Sequence, residues 1–348
     1  MQTVLGKTSQ FNGAAVARRG AARSKWLLAA VTGAALCLGA AHAQADSFDP
    51  VGGNTVAIWR PSTGVWWVLN RVTGATRTAL WGVSGDIPVP ADYDGDGVTD
   101  FAVWRPSDAG WYRINSSTGQ GWVTHWGQAG DIPVPGHYFQ STGPVELTVF
   151  RPSNGTWYVF NTQSGASASR HWGQNGDVPV PGFYHTTVAS GPLAIRSAVP
   201  AFAVYRPSNA VWYVNDVSTG WTFTSTAWDG PPVSTQVPAP GDYNGDGATD
   251  FTVWRPDSFS SAWLIMNSNF TTAPSGSQES GSGFGSPGDI PVPGDYDRDR
   301  ITDRTLWRPS TGVWTIAQSH NGVLVTQQWG SPGDIPVYYT TVNASVVN

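Results

Sequence analysis

The aspartates of this sequence are concentrated in three short loops of closely similar sequence. The first loop, residues 92–100, reads DYDGDGVTD and places carboxylates at its positions 1, 3, 5 and 9, with a backbone carbonyl available at position 7. Calcium in proteins takes about six to eight hard oxygen ligands, and glycine at position 6 permits the sharp turn on which they converge. The spacing therefore predicts a calcium site. Its ligands would be Asp92, Asp94, Asp96, the carbonyl of Val98, and Asp100.

Two further loops repeat this pattern with instructive changes. Residues 242–250 carry asparagine at position 3, and residues 295–303 keep all four aspartates but have arginine at both glycine positions. Arg300 must then adopt the turn conformation of a glycine at a cost of about 1 kcal/mol, which predicts that the third site is the weakest. The two predicted ligand sets are Asp242, Asn244, Asp246, the carbonyl of Ala248 and Asp250, and Asp295, Asp297, Asp299, the carbonyl of Ile301 and Asp303.

The corresponding loops after Tyr138 and Tyr184 are predicted to bind no ion. Their first residues read His-Tyr-Phe-Gln and Phe-Tyr-His-Thr, and we expect their acidic residues to have been lost together with the metal.

These loops lie within a repeat that covers most of the chain. An aromatic-Arg-Pro step occurs six times, at spacings of 45 to 55 residues. Each unit contains four short apolar runs bounded by Gly, Pro, Ser and Asp, which predicts four strands: A (VPGDY), B (FAVWR), C (WYVxN) and D (ending in Trp-Gly). Four antiparallel strands at a period of about 50 residues indicate a propeller blade. The sequence thus predicts an all-β, six-bladed β-propeller.

The two ends of the repeat region predict how the ring closes. The first repeat begins with its B strand, Thr55 to Arg60, and the last repeat ends with an A strand, Ile335 to Tyr339, which can complete the first blade. Of 19 tryptophans, 15 fall at three positions of the repeat, as expected for stacked blades that need bulky groups on both faces. The predicted organisation is a lead-in at 46–54, the propeller at 55–340 and a tail at 341–348.

The first 45 residues have the order of a secretory signal peptide. Five basic and no acidic residues precede or flank an apolar run, and small residues follow at 41–45. We therefore expect cleavage, with the mature chain extracellular or periplasmic and not inserted into a membrane. The mature chain has no cysteine or lysine, and its 14 arginines face 24 carboxylates, a formal charge of −10. That charge disfavours nucleic acid as a partner.

The aspartate loops and the motif GDIPVPGDY resemble FG-GAP/VCBS-type repeats of secreted bacterial propeller proteins, which share a calcium loop with the integrin α-subunit head. The resemblance covers residues 55 to about 340 and implies that calcium binds at residues 92–100, 242–250 and 295–303. Many members of that family have seven blades, whereas this chain has six repeats. The family includes adhesins, lectins, enzyme accessory domains and scaffolds, so the fold alone does not select a function.

Three functions are compatible with the sequence. A non-catalytic module that binds glycans or extracellular polymers is favoured, with Trp122 and Trp221 as candidates to stack on a sugar ring, although packing at a blade edge also explains them. A protein-binding scaffold or adhesin could use the insertions at 186–199 and 257–286. A polysaccharide lyase or glycosidase is disfavoured, because the mature chain has five histidines, two glutamates and no recognisable catalytic spacing.

The aspartate of the GDIP motif and the repeated arginine are expected to form a structural bridge between strands rather than a ligand site. The fourth repeat lacks this aspartate in its segment 233–240 and keeps Arg206, so we expect Arg206 to have no such partner in its own repeat.

Overall fold

The computed structural model describes residues 9–11, 48, 55–139, 142–184, 186–187, 195–196, 199–225, 236–256, 261–268, 278–280 and 284–337. Across these ranges the chain forms strands, turns and bends, without a helix. In the same ranges nothing has the length and apolar character of a membrane-crossing helix.

The strands are short and follow one another at close intervals. In chain order they are β1 (Ser9–Phe11), β2 (Thr55–Arg60), β3 (Val65–Asn70), β4 (Thr76–Leu80), β5 (Ile87–Pro88), β6 (Phe101–Arg105), β7 (Gly110–Ile114), β8 (Gly121–His125), β9 (Ile132–Pro133), β10 (Leu147–Arg151), β11 (Thr156–Phe160), β12 (Ser167–His171), β13 (Val178–Pro179), β14 (Thr186–Thr187), β15 (Ile195–Arg196), β16 (Phe202–Arg206), β17 (Val211–Asp216), β18 (Trp221–Thr224), β19 (Val237–Pro238), β20 (Phe251–Arg255), β21 (Ala262–Met266), β22 (Gln278–Ser280), β23 (Ile290–Pro291), β24 (Arg304–Arg308), β25 (Val313–Ala317), β26 (Leu324–Gln328) and β27 (Ile335–Val337).

Six antiparallel sheets confirm the predicted blades. Blades 1 to 6 have the strand orders β27-β2-β3-β4, β5-β6-β7-β8, β9-β10-β11-β12, β13-β16-β17-β18, β19-β20-β21-β22 and β23-β24-β25-β26. Each order runs through strands A, B, C and D. The B strands are buried, whereas several D strands are largely exposed and form the outer edges of their blades.

The ring closes as the sequence predicts. Strand β27 pairs with β2, with Val337 opposite Ala57 and Ile335 opposite Trp59. The indole Nε1 of Trp329 in blade 6 donates to the carbonyl of Trp67 in blade 1 at 3.2 Å. Within the ring, the indole of Trp81 makes the same contact to the next blade, at the carbonyl of Tyr112. The junction between the chain ends is therefore built like an internal junction between blades.

Aromatic rings fill the interfaces between blades. The six tryptophans of the C strands are at most 1% exposed, which places them in the core as expected. In the junctions of blades 3 with 4 and 4 with 5, a tyrosine stacks on the phenylalanine that begins the next B strand: Tyr138 on Phe202 at 5.1 Å, and Tyr184 on Phe251 at 4.8 Å. Offset aromatic pairs of this kind contribute about 0.5–1.5 kcal/mol beyond their burial.

Phe48 fills the corresponding slot between blades 1 and 2. It is 2% exposed and stacks on Phe101 at 5.1 Å, and the guanidinium of Arg77 donates to its carbonyl. Blade 1 receives its A strand from the far end of the chain, so its own sequence has no A–B loop to supply a tyrosine there. The lead-in predicted as a mere connection thus completes a packing layer.

The predicted A and D strands were placed a few residues too late. The ladder of blade 2 forms at Ile87–Pro88, upstream of the VPGDY run, and only an isolated bridge between Ala91 and Asp100 continues it. Strand β4 ends at Leu80, before the Trp-Gly step, because Gly82 takes a φ of 97° where the chain turns toward the next blade. The predicted end of the last A strand at Tyr339 lies outside the described residues.

Strand β1 lies inside the segment predicted to be a signal peptide. It pairs antiparallel with β8, with Gln10 opposite Trp122. This contact belongs to the uncleaved chain, and cleavage of residues 1–45 stays a prediction.

Candidate metal sites

The topology divides the loops between two faces of the ring. The A–B loops and C–D turns lie on one face, which we call the A–B face. The B–C turns and the connections from D to the next A strand lie on the other, which we call the B–C face. All three aspartate loops therefore lie on the A–B face.

A tyrosine anchors each A–B loop to its own blade. In blade 2, the hydroxyl of Tyr93 donates to the carbonyl of Val89 at 2.6 Å, and its backbone N–H donates to the Asp100 carboxylate at 2.9 Å. The hydroxyl contact recurs in every other described A–B loop, at Tyr138, Tyr184, Tyr243 and Tyr296. The start of each of these loops is thus anchored in the same way, whether or not the loop carries aspartates.

In the first loop the backbone folds around the carboxylate of Asp92. This carboxylate accepts from the N–H groups of Gly95, Asp96 and Gly97 at 2.6, 3.2 and 2.9 Å. Carboxylate oxygens of Asp92, Asp94 and Asp96 then lie within 4.8 Å of one another. Asp100 is fully buried at the far end of the loop. Oxygen donors gathered at this density fit a hard divalent cation such as calcium.

Two serines of the C–D turn complete the loop of blade 2. The backbone N–H of Ser116 donates to the carboxylate of Asp100, and its hydroxyl donates to Asp96 at 2.9 Å. The hydroxyl of Ser117 donates to Asp94 at 2.5 Å. The sequence interpretation missed these residues. A signal was available, because the position of Ser116 is serine in the three blades with aspartate loops and Arg71, Thr162 or Val217 in the others.

The electrostatics of the loops favour a bound cation. Burial, with a smaller contribution from the charge of Asp94, raises the pKa of Asp100 to about 7, although hydrogen bonds from Ser116 and Tyr93 act in the opposite direction. Burial is also the main cause that raises the pKa of Asp250 and of Asp303 to about 7. These carboxylates are costly to ionise as they stand, and a cation beside them would remove that cost.

The third loop combines strain with an additional candidate ligand. Arg298 and Arg300 both have positive φ, at 70° and 71°, which confirms the predicted strain of non-glycine residues at these positions. His320 stands at the position of Ser117, and its Nδ1 lies 2.5 Å from Asp297. Asp297, Asp299 and His320 form a second group of ligand atoms within 4.8 Å, beside the group of Asp295, Asp297 and Asp303.

The second loop keeps the backbone conformation of the first. The carboxylate of Asp242 accepts from Gly245 and Gly247, and Asp250 accepts from Tyr243 and from the N–H of Ser268 in the C–D turn. Burial raises the pKa of Asp242 to about 6. Its donor oxygens differ from those of the first loop only by the amide of Asn244.

The loop of blade 3 retains one acid that the sequence interpretation missed. Glu146 pairs with Gly136 as Asp100 pairs with Ala91, so it occupies position 9. Its carboxylate accepts from the N–H of Tyr138 at 2.8 Å and from the amide of Asn161 at 3.3 Å. The expectation that this loop had lost all its acids was therefore wrong. The insertion between Tyr138 and Glu146 hid the correspondence, since the two loops differ in length.

At position 1 of the same loop, His137 replaces the aspartate. It is buried, and burial lowers its pKa to about 4, so that it is neutral at ordinary pH. In blade 4 the corresponding residues at positions 1 and 9 are Phe183 and Ala201, and neither offers a side-chain oxygen. That these two loops bind no ion stays a prediction.

On the B–C face, every aspartate of a GDIP motif is paired with an arginine. In blade 2, Arg105 contacts both carboxylate oxygens of Asp86, at 2.7 and 2.9 Å, and its guanidinium lies 4.0 Å from the ring centre of Tyr112. The bidentate contact recurs as Arg60–Asp334, Arg151–Asp131, Arg206–Asp177 and Arg308–Asp289. The predicted structural bridge is confirmed.

The assignment of the missing aspartate was wrong by one blade. Arg206 contacts Asp177, which precedes the A strand of its own blade. The described part of that segment, from Gln236 onward, belongs instead to blade 5, where Gln236 stands immediately before β19 and accepts from the hydroxyl of Tyr205. The sequence repeat was divided at the B strand, whereas the sheet takes its A strand from the preceding unit.

The predicted sugar-stacking tryptophans lie on strand D. Trp122 is half-buried on β8, and Trp221 on β18 stacks on Phe223 with ring centres 5.5 Å apart. Trp221 stands on the outer strand of its blade, whereas β8, which carries Trp122, is paired with β1 on its outer side. Their role in ligand binding stays a prediction.

Comparisons with known proteins found similar solved structures. No family model matches the sequence, and no curated protein matches it. Among solved structures, the chain is similar to selenomethionine-substituted virginiamycin B lyase from Staphylococcus aureus, with 11% identity, 94% of this chain and 90% of that one covered, and a TM-score of 0.47. It is also similar to a putative 6-phosphogluconolactonase from Bacteroides fragilis, with 10% identity, coverage of 82% and 97%, and a TM-score of 0.44.

A third similar structure is the WD40 domain of Toxoplasma gondii coronin, with 12% identity, coverage of 85% and 72%, and a TM-score of 0.43. The activities in these names differ, and at this identity they say nothing about the chemistry of this chain. The fold and its loops define a six-bladed β-propeller with acidic loops on one face.

Proposed function

We propose that this protein is a secreted, calcium-binding propeller of the FG-GAP/VCBS type that acts as a non-catalytic binding module for glycans or extracellular polymers. The observation that carries the calcium assignment is the convergence of Asp92, Asp94 and Asp96 within 4.8 Å, inside a loop whose backbone is already wrapped around Asp92. In this proposal the loops of blades 2 and 5 bind most tightly, and the loop of blade 6 binds least tightly, because it holds two strained arginines.

Calcium would act as a staple for the A–B face. The carbonyl of Asp92 accepts from the N–H of Val145 in blade 3, and the carbonyl of Asp242 accepts from the N–H of Thr302 in blade 6. Position 1 of the first loop and position 1 of the second loop are therefore each hydrogen-bonded to the following blade. An ion held by the Asp92 or Asp242 carboxylate would stabilise two blades at once, in a mature chain whose sequence offers no disulfide.

The metal part of the proposal is tested by metal analysis of the folded protein. After equilibration with excess calcium and removal of free ion, we expect two to three calcium ions per chain, a count that follows from the ligand sets. Asp92→Asn combined with Asp100→Asn should reduce the count by one. Retention of no calcium by the folded chain would overturn this part.

The binding part is tested separately with a glycan array and the calcium-loaded chain. We expect binding to a defined subset of polysaccharides and a loss of at least about tenfold in affinity for Trp122→Ala or Trp221→Ala if these rings stack on sugar. The control variant is Leu80→Ala, at the exposed end of β4. Trp81 is not a suitable control, because its indole donates a hydrogen bond to the next blade.

A protein-binding scaffold is the second candidate, and one observation favours it. Within the insertion at 186–199, strands β14 and β15 pair antiparallel, with Thr186 opposite Arg196, in a two-stranded sheet separate from the six blades. Deletion of the insertion should abolish capture of a protein partner while leaving glycan binding unchanged.

A further inference from the structure

A pocket lies between blades 5 and 6 on the A–B face. Its volume is about 290 Å³, which is at the lower end of the range for small-ligand sites. Its wall comes from four segments, the two A–B loops and the two C–D turns, so it adjoins both aspartate loops. Its lining side chains include Tyr243, Ile265, Asn267, Ile301, Arg304 and Gln318.

The pocket lies where blade 6 departs from the packing of blades 2, 4 and 5. The B strands of blades 2, 4 and 5 begin with Phe101, Phe202 and Phe251, which fill the junction with the preceding blade. Strand β24 begins instead with Arg304. Its partner in the ladder is Ala317, where the other blades place Ile114, Phe160, Asn215 or Met266. Two positions that are bulky elsewhere thus line an open space beside the ring of Tyr243.

The chemistry of the wall is selective. Arg304 supplies a guanidinium that stays protonated in proteins and can bind a carboxylate through two parallel hydrogen bonds. Asn267 and Gln318 supply amides that can both donate to and accept from hydroxyl groups. Tyr243, Ile265 and Ile301 supply apolar surface, and the tyrosine can lie against one face of a sugar ring.

The charge around the pocket favours a ligand with a single negative charge. Asn244 and Ile301, which belong to the second and third aspartate loops, form part of its wall. A dianion such as a phosphate monoester would meet the carboxylates of both loops, whereas a single carboxylate needs only the one guanidinium. The combination of one cation, several amides and an aromatic face matches a carboxylated sugar.

We propose that the pocket between blades 5 and 6 binds one uronic acid unit of an acidic polysaccharide, with Arg304 holding its carboxylate. The inference deepens the proposed function and rests on it in one respect, namely that the ligand is a glycan. The pocket is distinct from the D-strand tryptophans, so the two binding elements can be tested separately.

Calorimetric titration of the calcium-loaded full chain tests the proposal. The probes are D-glucuronate and D-galacturonate, with D-glucose and D-galactose as matched neutral sugars. We expect at least one uronate to bind at least about tenfold more tightly than its neutral counterpart, because only the uronate engages Arg304 through charged hydrogen bonds. Equal binding of acidic and neutral sugars, or no binding of either uronate, would overturn the proposal.

Two variants sharpen the test. Arg304→Phe introduces the residue found at this position in blades 2, 4 and 5, so it should fold while it fills the pocket and removes the charge. Arg304→Gln keeps a polar side chain if the phenylalanine does not fit. Each should weaken uronate binding at least about tenfold. The matched control is Arg170→Gln, which removes one positive charge from the exposed strand β12 and should leave binding unchanged.

The outcomes separate this proposal from the proposed function. If the wild-type chain binds glycans on the array and Arg304→Phe binds uronate as well as wild type does, the pocket assignment is wrong and the binding module stands. If the wild-type chain binds no glycan at all, both proposals fail.

Discussion

The two faces of the ring use aspartate in opposite ways. On the B–C face, Asp86 has a guanidinium on both of its oxygens, and its side chain is only 1% exposed. On the A–B face, the aspartates of the first loop converge on one another, and Arg113 is the nearby cation that helps to offset the charge of Asp94 and Asp100. Asp92 and Asp100 are buried as Asp86 is, whereas Asp94 is half-buried and Asp96 is exposed, and the supply of counter-charge differs between the two faces.

This difference shows which aspartates call for an ion. A bidentate arginine satisfies a buried carboxylate within the chain, so the B–C face needs no further partner. In the aspartate loops the carboxylates outnumber the arginines near them: Arg113 lies beside the loop of blade 2, and Arg71 from blade 1 lies beside the loop of blade 6, which itself carries Arg298 and Arg300. The loops of blades 3 and 4 lack the full ligand set. The B strand of the blade that follows each of them begins with an uncharged residue, Phe202 or Phe251.

The largest expected effect comes from breaking the B–C face. Arg105→Ala leaves the buried Asp86 without its cation, which should lower the free energy of unfolding by about 3 kcal/mol. Denaturant unfolding should give the same loss with calcium and with chelator, because no aspartate loop is touched. Ser169→Ala, on the exposed D strand β12, is the control and should cost less than about 0.5 kcal/mol. A loss confined to calcium-loaded protein would contradict the division between the faces.

Removing the deepest acid of an aspartate loop should have the next largest effect. Asp100→Ala leaves the N–H groups of Tyr93 and Ser116 without an acceptor, at a cost of about 2 kcal/mol in chelator, and removes an ion ligand as well. The loss measured by denaturant unfolding should therefore grow when calcium is present. Glu146→Ala in blade 3 is the matched variant, and its cost should be independent of calcium.

Relieving the backbone strain of the third loop should stabilise the protein. Arg300→Gly removes a side chain from a residue with a φ of 71°, which should raise the free energy of unfolding by about 1 kcal/mol and tighten calcium binding at that loop. The reciprocal variant, Gly97→Arg, should cost about as much in the first loop. Calorimetric unfolding of the two variants measures both changes, and effects of the same sign would contradict the explanation.

The smallest expected effect is at the C–D turn. Ser116→Ala removes the hydroxyl that contacts Asp96 and should cost about 1 kcal/mol, together with a modest loss of calcium affinity in the first loop. Thr162→Ala, at the corresponding position of blade 3, should leave calcium binding unchanged. Titration of each variant with calcium makes the comparison, and equal losses would show that the serine is not part of the ion site.

Much of the fold could be predicted because the sequence repeat marks where the strands of each blade lie. The aromatic-Arg-Pro step fixes the B strands, and the offset between Thr55 and Ile335 reveals how the ring closes. The A strands were misplaced because their ladder is only two residues long at Ile87–Pro88, too short to show a pattern in sequence. Phe48 escaped notice because its packing partner, Phe101, is supplied by a different blade.

The candidate site was predictable in its aspartates but not in its surroundings. The aspartate spacing identifies the loops at 92–100 and 295–303, whereas Ser116 reaches the first and His320 the second of these from turns that lie more than a dozen residues away in the chain. Glu146 was hidden by a loop of different length. The pocket at Arg304 is a space left open between blades 5 and 6, and only the packed structure shows it.

The pH dependence of the loops follows from the raised pKa values of about 7 for Asp100, Asp250 and Asp303. These values lie above those of the unfolded chain, near about pH 4, so between about pH 4 and about pH 7 the metal-free folded chain holds more protons than the unfolded chain. The stability of the metal-free protein should then fall as the pH rises through this window. Calcium, which binds ionised carboxylates, should reverse that trend.

Calorimetric melting with excess calcium and with chelator, at about pH 8 and at about pH 5, tests the central claim most directly. We expect calcium to stabilise the folded protein at about pH 8, by about 1.4 kcal/mol for each site at a tenfold excess over its dissociation constant. At about pH 5 the stabilisation should largely disappear, because the buried carboxyls are then protonated. The same melting temperature with calcium and with chelator at about pH 8 would contradict the account.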